Sequence, residues 1–196
     1  MRVWAAIALV ALVGCGGNDD RRADAGGGGG LCGDTRLQGE VLLPVVDRGA
    51  CGIADPVRIT RIDGVEITGG PVMDCRTARA FADWTVEGAA RAARNGGRQL
   101  TRIETVASYA CRNRYGRSSG RISNHALGRA VDVSAFGFAD GGRISVLRDW
   151  LGTTILQEAA GRACGPFNTV LGPNYNAAHA DHLHLDVTDE YRTFCR

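Results

Sequence analysis

The sequence predicts an α+β domain: a small, mostly antiparallel sheet with flanking helices, stapled by disulfides. Three observations carry that prediction. Helical and strand-like patterns mix along the chain with no repeating βαβ period, which argues against a doubly wound sheet. Asp63-Gly64 sits between two alternating apolar/polar runs, the signature of an antiparallel hairpin. Six cysteines (Cys32, Cys51, Cys75, Cys111, Cys164 and Cys195) follow an export-type leader at long, irregular spacings. An even count with no CxxC pair in an exported chain argues for up to three disulfides rather than a zinc ribbon, with 15 connectivities open.

The elements follow in order. Arg2 and the apolar run VWAAIALVALVG form a signal segment too short to span a bilayer, ending in LVGC at residues 12–15. That ending resembles the bacterial lipoprotein signal, which implies removal of residues 1–14 and a lipid anchor on Cys15. Gly16 after the cysteine favours the outer over the inner membrane, on the periplasmic face. Residues 15–30 carry five consecutive glycines and no apolar periodicity, so they read as a tether to a domain spanning 31–196. Within it, VRITRIDGVEIT (57–68) is the hairpin. A helix over about 75–94 starts from Asp74 as N-cap and lines up Ala78, Phe81, Thr85, Ala89 and Ala92. Asn95-Gly96-Gly97 ends it. A strand covers 99–110 and a Gly/Ser/Arg loop follows. RAVDVSAF (129–136) is a short strand, and a second helical region over 144–163 breaks near Gly152. FNTVL (167–171) and HLHLDV (182–187) are the last strands. The 196-residue chain has no lysine, 23 arginines and a formal net charge of only +2, so composition points to no nucleic-acid partner.

The chemistry lies in the histidines. All four occur in SNHALGRAVDVS (123–134) and HADHLHLD (179–186). Alternation along a strand puts His182, His184 and Asp186 on one face while Leu183 and Leu185 face the core. The same rule turns Asp132 with Ala130 and Ser134 away from Val131 and Val133. His125, before Gly128, lies in a segment that can curl back toward Asp132. Two imidazoles and a carboxylate with a fourth position open describe a catalytic zinc site, and iron is the less natural occupant.

S-x-H-x-x-G-x-A-x-D followed by a distal H-x-H resembles the zinc metallopeptidases grouped around lysostaphin and the D-alanyl-D-alanine peptidases. That resemblance implies His125, Asp132 and His184 as zinc ligands. ACGIADPV (50–57), SYACR (108–112), ACGPFNTVLGP (163–173) and both histidine motifs, in order, resemble the bacterial extensin-like C-terminal family over residues 32–195. With five prolines and no Ser-Pro repeat, a plant-type wall rod is excluded. The resemblance implies a fold like that of hedgehog domains and D-alanyl-D-alanine peptidases. It also implies a zinc peptidase or amidase acting on peptidoglycan peptides. Candidate bases are His182, then His179 and Asp181, the last standing where those peptidases carry a glutamate. Arg112 resembles their arginine and would polarise a carbonyl or clamp a carboxylate. Asp186 either orients a ligand histidine or ends the strand. Hedgehog domains keep the zinc yet act by binding, so the alternative is a non-catalytic zinc-containing lipoprotein that binds the wall or a protein partner.

Overall fold

The computed structural model describes residues 29–189 and 193–196. The signal segment, Cys15 and most of the tether lie outside the described residues. The α+β class with three disulfides holds, but the sheet is not small: among the described residues it has ten strands. Its main path runs β1 (Leu37–Val41), β4 (Pro56–Ile62), β5 (Val65–Thr68), β7 (Leu100–Ala107), β8 (Ala130–Phe138), β11 (Leu183–Asp186), β10 (Thr169–Leu171) and β12 (Phe194–Cys195). Off that path, β6 (Val72–Asp74) pairs with β4 and β9 (Arg143–Ser145) with β8, while β2 (Val45–Val46) and β3 (Gly52–Ile53) form a separate ribbon. Most pairings are antiparallel; β5–β7 and β10–β12 are parallel. The expectation of a small sheet failed because several added strands are two or three residues long. Such strands are fixed by their partners and carry no period of their own.

The hairpin forms as expected. Asp63 and Gly64 both adopt positive φ (46° and 83°), the two left-handed residues that a tight twisted turn between β4 and β5 requires. The long helix begins as read, with the Asp74 carboxylate accepting the Thr77 N–H at 2.7 Å. It runs as α1 (Cys75–Asp83), a π-helical stretch (Trp84–Ala90) and α2 (Arg91–Asn95). Its expected face, Ala78, Phe81, Thr85, Ala89 and Ala92, is buried. The second helical region starts later than expected, because residues 143–145 pair with β8. It comprises α3 (Val146–Asp149) and α4 (Thr154–Ala163), and leaves Leu147 and Leu151 exposed. Trp84, fully buried, donates its indole N–H to the Ala159 carbonyl at 2.8 Å and so joins the two helical regions. These helices cover one face of the sheet, onto which Val131, Val133, Leu183 and Leu185 point. The opposite side of the same two strands is free for chemistry.

The disulfides are Cys32–Cys75, Cys51–Cys111 and Cys164–Cys195. The first ties the entry of the domain to the start of α1. The second ties the β2–β3 ribbon to the arginine loop, and the third ties the end of α4 to β12. Gly128 has φ +66°, and a Cβ there would sit 2.4 Å from Ile53 Cδ1. Gly128→Ala is therefore expected to cost about 2 kcal/mol and lower Tm by roughly 4–8 °C, read by thermal unfolding.

Candidate metal centre

β8 and β11 are direct neighbours, and their antiparallel register sets Asp132 opposite His184. Valines and leucines flanking these residues hold both strands in the core, so the pleat turns Asp132, His184 and Asp186 out on the other side. His125 arrives from a different element. It sits in a short 3-10 turn (Asn124–Leu127) closed by Gly128, whose carbonyl accepts the Asp74 N–H at 2.9 Å. That turn folds the imidazole back over Asp132.

Three donor atoms meet there. His184 Nδ1 lies 2.9 Å from Asp132 Oδ1 and 3.2 Å from His125 Nε2, and His125 Nε2 lies 3.3 Å from Asp132 Oδ1. A tetrahedral ion with bonds of about 2.0–2.1 Å holds its donors about 3.3 Å apart, so this triangle has the size of one face of that tetrahedron. The remaining ring nitrogens are already committed. His125 Nδ1 donates to the Ser108 carbonyl at 2.5 Å, and His184 Nε2 donates to Asp186 Oδ2 at 2.9 Å. Each bond holds a proton on the outer nitrogen and aims the other nitrogen at the triangle, the usual support of metal-binding histidine. Asp186 therefore orients His184 as well as ending the strand. Asp186→Asn is expected to weaken metal affinity about 10- to 100-fold, measured by chelator competition, with the fold intact.

Burial raises the Asp132 pKa, but hydrogen bonds to His125 and His184 outweigh it and hold the carboxyl well below its usual range. Burial opposes charge on His184 too, yet its bonds to Asp132 and Asp186 carry its pKa up to about 9. The same carboxylates favour the imidazolium form of His184, so a metal ion binding at its Nδ1 displaces a proton. Burial, followed by repulsion from His184 and His182, pushes His179 down to about 4.

The other expected residues divide. His182 Nε2 faces Asp132 Oδ2 at 3.8 Å, while its Nδ1 donates to Asp181 Oδ1 at 2.7 Å. Asp181 itself is exposed and does not line the histidine cleft, so it backs His182 rather than facing the cleft. His179 sits with its ring 5.2 Å from that of His182, and its Nδ1 donates to Asn176 Oδ1 at 2.7 Å. Arg112 is brought to the same cleft, of about 230 Å³, together with Arg114 and Tyr115 from the same loop. Ser123 is buried there and uses its backbone, donating to the Arg112 carbonyl at 3.0 Å. Sequence reasoning missed Ser108, Asn176 and Tyr115. Ser108 also accepts the Val72 N–H on its hydroxyl, and nothing in its residue type announces its carbonyl's use.

The family model for the C-terminus of extensin-like proteins matches residues 34–196, nearly the whole described domain. The chain belongs to that family. No curated protein matches the chain. The histidine cleft of this extensin-like domain thus lies entirely inside the matched region. Among the described residues, His125, Asp132 and His184 form the group of histidine, cysteine and acidic side chains with metal-binding spacing.

Proposed function

We propose that this extensin-like domain is a zinc-dependent peptidase or amidase that hydrolyses an amide bond in peptidoglycan peptides. The observation that carries the proposal is the donor triangle of His125, Asp132 and His184 with His182 turned toward it at its edge. On this reading the domain shares the architecture of the D-alanyl-D-alanine peptidases and hedgehog domains. The LVGC ending supports an exported lipoprotein anchored through Cys15, with the outer membrane favoured. The cell-wall substrate is supported by that export signal together with the resemblance of the histidine motifs to wall peptidases.

His125 Nε2, Asp132 Oδ1 and His184 Nδ1 would hold the ion. When bound, zinc supplies a Lewis acid that polarises a carbonyl and makes water acidic enough to attack near neutral pH. The chain's own residues do the rest. His182 Nε2 accepts a proton from the attacking water, and Asp181 at Nδ1 fixes the tautomer and stabilises the resulting imidazolium. The carbonyl carbon gains the C–O bond, and the Arg112 guanidinium at the cleft is placed to offset negative charge on the carbonyl oxygen. His182 returns its proton to the leaving nitrogen as the C–N bond breaks. His179, held neutral by burial, contributes a fixed imidazole wall rather than a charge.

Cobalt(II) in place of zinc tests the centre optically. The domain should take up one equivalent and give the intense visible absorption of a tetrahedral site, lost in Asp132→Ala. A pale, six-coordinate spectrum unaffected by that change would argue against the ligand set.

A further inference from the structure

A second, larger hollow of about 510 Å³ adjoins the histidine cleft, with Arg112 on the wall between them. Arg48 and Arg117 line it with Arg112, beside Asn113 and Ser118, and no carboxylate does. Arginines elsewhere on the surface are of two kinds, some bonded to backbone carbonyls, as Arg61 and Arg79 are, and others ion-paired. Arg58, Arg98, Arg102, Arg129 and Arg143 each ion-pair with an Asp or Glu. None of Arg48, Arg112 and Arg117 has a carboxylate within ion-pairing distance among the described residues. The nearest acid in sequence, Asp47, is already engaged by the Tyr109 hydroxyl at 3.0 Å and the Arg48 N–H at 2.7 Å. The Cys51–Cys111 disulfide forms part of the wall and fixes the Arg48 side of the hollow to the Arg112 side. Three arginines lining one concave space, none of them ion-paired among the described residues, match an anionic oxygen ligand.

We propose that this hollow is an anion subsite that receives a carboxylate or phosphoryl group of the ligand lying in the histidine cleft. Its occupant is then a different part of the ligand from the amide facing His182, and the enzyme selects acidic peptides over neutral ones. The term substrate here rests on the hydrolytic reading above; the anion site itself does not.

The test is a binding titration on the zinc-loaded, oxidised protein. The probes are N-acetyl-Ala-Glu-(Nε-acetyl-Lys)-Ala-Ala and its neutral form, with glutamine for glutamate and an amidated C-terminus. The acidic peptide is expected to bind about tenfold more tightly, with the margin shrinking as salt rises. Arg48→Gln combined with Arg117→Gln is expected to erase the margin while zinc content and Tm stay unchanged. Arg61→Gln combined with Arg94→Gln removes the same charge outside the hollow, and should leave the margin intact and so exclude a net-charge effect. Inorganic phosphate competing as well as the acidic peptide would support the subsite and name a phosphoryl group as its occupant. Competition only at far higher concentration would name a carboxylate. Equal affinity for both peptides, or a margin that survives the double substitution, would overturn the proposal. Cleavage is followed separately by mass spectrometry. Equal affinities with cleavage of both peptides would sink the subsite and leave hydrolysis standing. A margin in the native protein that the double substitution erases, with no cleavage of any wall peptide, would do the reverse.

Discussion

His184→Ala is expected to leave the domain unable to retain zinc, with affinity lower on the order of a thousandfold or more and no hydrolytic activity. The reason is the density of function on one side chain. His184 contributes the donor that lies closest to both others, 2.9 Å from Asp132 and 3.2 Å from His125. It also spans from the triangle to Asp186, so its loss removes a donor and the link that orients it. Two donors that remain cannot complete a tetrahedral site. The flanking Leu183 and Leu185 stay packed in the core, so the strand should persist and circular dichroism should be unchanged. Metal analysis after gel filtration reads the result directly. One equivalent of zinc retained by the variant would show that the ion is held elsewhere.

His182→Ala should separate chemistry from metal binding. Zinc content is expected to remain at one equivalent while kcat falls about 10²- to 10⁴-fold, the usual range for a positioned acid–base group. The geometry makes the distinction sharp: His182 Nε2 stands 3.8 Å from Asp132 Oδ2, beside the donor triangle but outside it, and Asp181 holds its other nitrogen. Asp181→Asn should then reduce kcat by a smaller factor, because an amide can still accept the Nδ1 proton but cannot offset the imidazolium charge. Loss of zinc with His182→Ala, or a kcat within threefold of the native value, would remove His182 from the proposed role.

Much of this site could be read before any coordinates. Alternation in HLHLD and in the VDVS segment tells which side chains leave the core, because buried Leu and Val leave the strand only one way to face. The register that sets Asp132 against His184 is not in that pattern. It depends on β8 and β11 being neighbours, across more than forty intervening residues. Asp181 and His182 show a further limit. As adjacent strand residues they would face opposite sides, yet Asp181 precedes β11 and its carboxylate turns back to the His182 ring. Ser108 and Asn176 act through a carbonyl and an amide oxygen, groups whose use depends on where the chain passes rather than on composition. The size of the sheet was hidden for a related reason. β9 and β12 are strands only because β8 and β10 offer them an edge. The cysteine pattern likewise left connectivity open, and the fold resolves it by proximity.

Hydrolysis of an amide bond in peptidoglycan, as proposed for this cleft, would leave identifiable products. The most direct measurement incubates the oxidised, zinc-loaded domain with purified muropeptides, cross-linked and uncross-linked, and identifies products by mass spectrometry. His184→Ala and His182→Ala run alongside. The account predicts a new pair of fragments whose masses sum to the substrate plus water, absent with both variants. Intact substrates after incubation with protein shown to carry one zinc would contradict it, and would leave a metal-stabilised binding domain as the better description.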